Sequence, residues 1–131
     1  SPAGKNRTRG FVMTQYLGVD IIEIKRIENA IEHWGDSFLN RVYTNVEIRL
    51  YRDKLPSLAA RFAAKEATVK ALGSNEFIYH DIEVIAGTGQ RPEIRLYGRA
   101  KSIAAELNIT DLAVSLSHSR DYAVAVVSGL T

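Results

Sequence analysis

The chain has 131 residues, 46% of them hydrophobic, enough for one domain around one core. It contains no cysteine, which excludes disulfides and thiolate chemistry and leaves carboxylates, imidazoles and backbone oxygens to hold any metal, a donor set suited to hard cations such as Mg²⁺. Its net charge of +2 sits in "SPAGKNRTRG": without Lys5, Arg7 and Arg9 the 17 cations fall to 14 against 15 acids, so the body gives no electrostatic case for nucleic-acid binding.

Residues 1–12 carry Pro, Gly and cations without periodicity, and read as a disordered tail or a non-native remnant. A single domain over 13–131 is expected, opening at Met13, the only methionine. No apolar run approaches the roughly 18 residues of a membrane span. No signal-peptide pattern is present, so a cytoplasmic protein acting away from membranes is expected.

"YLGVDIIEI" (16–24) is β-rich, with one acid, Asp20, among aliphatics. Ile24, Ile27, Ile31 and Trp34 then change the period to that of a helix, which Gly35 ends. "DSFLNRVY" (36–43) predicts a short second helix. "TNVE" (44–47) matches a capping box and opens a helix to about Lys54. After Pro56 and Ser57 a longer helix is predicted from Leu58 to Leu72, with Gly73 as its stop. "DIEVIA" (81–86) and "PEIRLY" (92–97) read as a hairpin around "GTGQ". A helix is expected over 98–109, with Ile103, Ala104 and Leu107 inward. "LAVSLSH" (112–118) and "YAVAVVSGL" (122–130) form a second hairpin around "SRD". The class is α+β, with helices clustered in the first half and antiparallel strands late.

Few side chains here carry chemistry. Asp20 is either a strand-end acid, exposed or capping a helix, or a ligand that needs a partner if buried. Glu66 and Lys70 are i, i+4 on the predicted helix and in the orientation that forms a helix pair, which contributes only about 0.3–0.5 kcal/mol. Arg61 and Lys65 share that spacing with like charge, a conflict that an anionic ligand between them would remove. The alanines around them let another backbone, or a ligand, come close. Two cations and an acid able to hold Mg²⁺ suit a pyrophosphate. His118, at a strand-to-turn junction, is either a solvated turn residue or a donor to phosphate. Ser115, Ser117 and Ser119 share one strand face. G-x-S-x-G, G-x-x-x-x-G-K-[ST] and H-E-x-x-H are all absent, which argues against a serine hydrolase elbow, a P-loop and that zinc pattern.

In order, "GVDIIEIKRI", "RFAAKEATVKALG", "DIEV" and "AVSLSHSRDYAVAVV" resemble the holo-acyl-carrier-protein synthase family, the small bacterial 4′-phosphopantetheinyl transferases. The resemblance runs from about Tyr16 to Val127. It implies that family's fold, and transfer of the 4′-phosphopantetheine arm of coenzyme A to a serine of an apo acyl carrier protein, with release of adenosine 3′,5′-bisphosphate. It implies Mg²⁺ on Asp20 and Glu66 and Lys70 at the reacting phosphates. Arg61, Lys65 and His118 would bind coenzyme A, and Arg26 and Arg41 would dock the carrier protein. A homotrimer with coenzyme A at subunit interfaces is the family habit, and a carrier protein of fatty-acid synthesis its default substrate. Glu66 is the first candidate acceptor for the serine proton and Asp20 the second. The segment "GSNEFIYH" departs from the family pattern, being short and lacking its second glycine, and "GTGQRP" only approximates the usual G-x-P hairpin. A non-catalytic coenzyme A or nucleotide-binding module, and a structural oligomerisation domain, are the alternatives.

Overall fold

A computed structural model describes residues 12–86 and 88–131. The expected tail, Val12 apart, lies outside the described residues. β1 (Gln15–Glu23) leads without a loop into α1 (Ile24–Trp34), and Gly35 at φ +58° turns the chain into α2 (Asp36–Val42). α3 (Asn45–Tyr51) opens on the predicted capping box, with Thr44 Oγ1 accepting from Glu47 N and Thr44 N donating to Glu47 Oε1. It ends before Lys54. α4 (Leu55–Leu72) begins three residues earlier than expected, because Pro56 falls in its first turn, where the missing N–H costs nothing. Gly73, left-handed at φ +67°, closes it.

The second half is a hairpin of β2 (Ile82–Ala86) and β3 (Pro92–Leu96), α5 (Gly98–Glu106, short of 109), and the strands β4 (Asp111–His118) and β5 (Tyr122–Leu130). Ser119 lies past the end of β4 and so leaves the strand face that Ser115 and Ser117 share. The main sheet is antiparallel in the order β1-β5-β4, so the first and last strands of the chain are neighbours. Asp20 pairs with Ala125, which pairs in turn with Leu116.

α4 lies against the inner face of this sheet. Ala59, Ala60, Ala63, Ala64, Ala67 and Ala71 are all buried on it, and across from them Ala123, Ala125 and Val127 are buried on β5. The alanines thus make room for the protein's own sheet. Gly18 shows how close the approach is: a Cβ there would lie 1.9 Å from the Ala67 carbonyl oxygen. The outer face is different. Leu17, Val19 and Ile21 on β1 and Val126 on β5 are exposed, and the register places them side by side.

Candidate active site

Of the two candidate residues on α4, Glu66 and Lys70, the lysine reaches across to β1. Lys70 Nζ donates to Asp20 Oδ1 at 3.0 Å and to the Val19 carbonyl at 2.9 Å. Asp20 is the inward residue between Gly18 and Ile22, with its side chain 17% exposed, so the neighbouring ammonium answers its need for a partner. The predicted Glu66–Lys70 helix pair is not formed. Glu66 instead accepts a hydrogen bond at Oε2 from the Tyr79 hydroxyl. A weak i, i+4 attraction loses to partners fixed by the fold.

Tyr79 is the partner of Glu66. Its ring lies against Phe62, with centroids 5.6 Å apart, and its carbonyl accepts from Lys65 Nζ at 3.1 Å. Burial first, then the hydrogen bond to Glu66 and the charges of Glu66 and Asp20, push its hydroxyl up to about 12, so at neutral pH it is a donor. Beside Glu66 opens a mostly apolar cavity of about 890 Å³, with Arg41, Phe62, Phe77, Ile78 and Tyr79 in its lining. The segment after Gly73 builds part of that wall.

Arg61 and Lys65 correct an expectation. Their like charges already have an anion within the chain: Lys65 is fully buried, with its ammonium 2.8 Å from Glu47 Oε1 and bonded to the Tyr79 and Ile82 carbonyls. Glu47 is the anion that relieves the like charges, and its other oxygen accepts from Val84 N at 2.7 Å. Burial holds the Lys65 ammonium below its usual range, against the pull of Glu47. A direct contact between Lys65 and coenzyme A would have to break this arrangement. Arg61, also buried, donates from Nε to the Val84 carbonyl at 2.8 Å and stacks on Tyr51. It still lines a cavity of about 260 Å³ with Gln90, Arg91, Pro92 and Ser115.

Lys65→Met should therefore act on stability. It leaves the Glu47 carboxylate buried without its cation, a change that costs about 3–5 kcal/mol. In a chain of this size that lowers Tm by about 10 °C or more. A scanning-calorimetry Tm within 2–3 °C of the parent would show the pair to be dispensable.

The remaining candidates are dispersed. His118 is exposed at the end of β4, two strands across from β1, so about 10 Å of sheet separates it from the Asp20 strand. Arg26 is exposed on α1 and Arg41 is exposed at the cavity. Arg61 and Glu66, five positions apart on α4, point about 140° apart around its axis. One copy of the chain thus joins Asp20 to Lys70, on the helix that carries Glu66, and holds Arg61 and His118 on other faces.

The reading from sequence missed Tyr79 and the wider role of Glu47. Glu47 showed only its capping box. Tyr79 sits in an aperiodic segment, and nothing local marks its hydroxyl as the partner of an acid 13 positions earlier.

The site fits a divalent cation by its chemistry. Asp20 and Glu66 offer hard carboxylate oxygens, and among the described residues no group of three or more His, Cys, Asp or Glu could hold a metal by itself. Two protein acids, with the remaining positions left to phosphate and water, is the arrangement Mg²⁺ prefers.

Comparison with known proteins shows the family to which this fold belongs. Residues 16–127 match the 4′-phosphopantetheinyl transferase superfamily. The holo-[acyl-carrier-protein] synthase of Dehalococcoides mccartyi is 50% identical over 113 residues, 86% of this chain and 95% of that protein. That of Herpetosiphon aurantiacus is 46% identical over 122 residues. Among solved structures, the Helicobacter pylori holo-[acyl-carrier-protein] synthase in complex with coenzyme A superposes with a TM-score of 0.76 at 37% identity, covering 85% of this chain and 96% of that one. The Neisseria meningitidis enzyme gives 0.77 at 30% identity, covering 87% and 96%. The chain belongs to the 4′-phosphopantetheinyl transferase superfamily, within its holo-[acyl-carrier-protein] synthase family.

Proposed function

We propose that the chain transfers the 4′-phosphopantetheine arm of coenzyme A to a serine hydroxyl of an apo acyl carrier protein, in a Mg²⁺-dependent reaction that releases adenosine 3′,5′-bisphosphate. The observation that carries this reading is the meeting at 3.0 Å of Asp20 with Lys70, 50 positions later and one helical turn from Glu66 on the same helix. Bound Mg²⁺, held by Asp20 and Glu66, would supply charge neutralisation at the pyrophosphate. The carrier serine Oγ forms the new bond to the phosphorus that bears the pantetheine arm. The bond from that phosphorus to the bridging oxygen breaks, and the bridging oxygen leaves with the bisphosphate. Glu66 takes the serine proton, with Asp20 as the second candidate. Lys70, half-exposed, places its ammonium on the phosphate oxygens, where charge grows as the bond breaks. Arg61, at its cavity, and His118 take the nucleotide end. Arg26 and Arg41 meet acidic groups of the carrier protein.

The working form is proposed to be a homotrimer. Support comes from the exposed apolar outer face of the main sheet, which asks to be covered. It also comes from the separation of Arg61 and His118 from Glu66, which a neighbouring copy would close. A cytoplasmic location fits the substrates, and no described helix is long and apolar enough to cross a membrane.

One mass-spectrometric experiment tests both. Intact-mass spectra of apo carrier proteins incubated with coenzyme A and this protein should gain the mass of one phosphopantetheine on one serine, and lose the gain with chelator. Native spectra of the same sample should show three chains per particle. Coenzyme A binding without transfer to any carrier protein would replace this reading with a binding module.

A further inference from the structure

Glu66 carries the heaviest duty in the proposed reaction, yet among the described residues its one hydrogen-bond partner is the Tyr79 hydroxyl. That phenol is held by rigid parts of the fold. Its carbonyl is anchored by Lys65 at 3.1 Å, and its ring rests on Phe62 of α4. The turn that follows is pinned where Asp81 N donates to the Ile78 carbonyl at 3.0 Å and Tyr97 N donates to the Asp81 carbonyl at 2.8 Å. His80 bonds through its ring to the Asn40 carbonyl. A flexible glutamate is thus met by a donor with little freedom of its own.

We propose that Tyr79 is a positioning residue for the transfer: its hydroxyl, bonded to Oε2, holds the Glu66 carboxylate in one orientation and leaves Oε1 for the divalent ion or the serine proton. The proposal rests on the function argued above. It concerns the residue that orients the acid, which lies in the segment between α4 and β2. Losing an outer partner of a ligating carboxylate typically costs 10–100-fold in metal affinity or activity. Tyr79 keeps its own proton throughout and forms or breaks no covalent bond.

Tyr79→Phe tests this, since it removes one oxygen and keeps the ring on Phe62. Three quantities are compared between parent and variant: kcat and KM for coenzyme A in the carrier-protein transfer assay, Mn²⁺ affinity of the substrate-free protein by electron paramagnetic resonance, and Tm. The expected result is kcat at least ten-fold lower, KM within two-fold, Mn²⁺ binding several-fold weaker, and Tm within a few degrees. A Glu66→Gln/Tyr79→Phe double variant should be no slower than Glu66→Gln, because Tyr79 acts through Glu66. Unchanged kcat and Mn²⁺ affinity in Tyr79→Phe overturns the proposal while the parent's transfer activity stands. Losses that follow Tm alone, or that add fully to those of Glu66→Gln, also overturn it. A parent that binds Mn²⁺ but labels no carrier protein overturns the function, and this proposal with it.

Discussion

Glu66→Gln should cut transfer of the arm to a small residual rate while leaving the fold intact. The amide keeps the size of the carboxylate and can still accept from Tyr79, so the packing around it has no reason to change. What it loses is charge and basicity. A positioned base contributes about 10²–10⁴ in rate, and the same carboxylate is one of only two proposed for Mg²⁺. Both losses act on one step, so kcat should fall by about three orders of magnitude or more. Initial rates of carrier-protein mass gain, with circular dichroism and Tm as fold controls, measure it. Parental rates from a well-folded Glu66→Gln protein would remove this residue from the mechanism and leave Asp20 as the base to test.

Gly18→Ala should damage the protein more than a methyl at any other described glycine. The added Cβ would lie 1.9 Å from the Ala67 carbonyl oxygen and 2.8 Å from Ala71 N. Both are backbone atoms of α4, so no side chain can turn aside. Either the helix lifts off β1 or the strand bends. Overpacking a core usually costs 1–3 kcal/mol, and a clash between backbones belongs at or beyond the upper end, about 3 kcal/mol. The function should suffer in proportion, because the Asp20–Lys70 contact spans the same helix–strand gap. Urea unfolding should show a midpoint lowered by more than about 1 M for an m value of 1–3 kcal/mol/M. An unchanged midpoint would mean that α4 lies farther from β1 than the structure places it.

Much of the fold was legible along the chain. The strand-to-helix switch at Ile24, the capping box at Thr44 and Glu47, the glycine stops at Gly35 and Gly73, and both hairpins fell where the patterns placed them. The misses in extent were a few residues at helix ends, as with Pro56, which opened a first turn instead of breaking the chain. Of the site, Asp20, Glu66 and Lys70 were legible as a group only through their resemblance to a family. Their actual partners were not. Lys65 looked like a ligand-seeking cation and is the buried mate of Glu47. The alanines looked like room for a ligand and are the bed of the protein's own sheet.

Period, caps, turns and the gathering of helices before strands depend on four or five neighbouring residues and can be read along the chain. These are short-range, because backbone hydrogen bonds and side-chain faces within a helix or strand repeat over that distance. Which charges meet is settled by packing between elements far apart in the chain. A helix pair contributes a few tenths of a kcal/mol, whereas an unpaired charge in a packed interior costs several. The fold therefore overrides the nearest neighbour and gives Lys70 to Asp20, Lys65 to Glu47 and Glu66 to Tyr79.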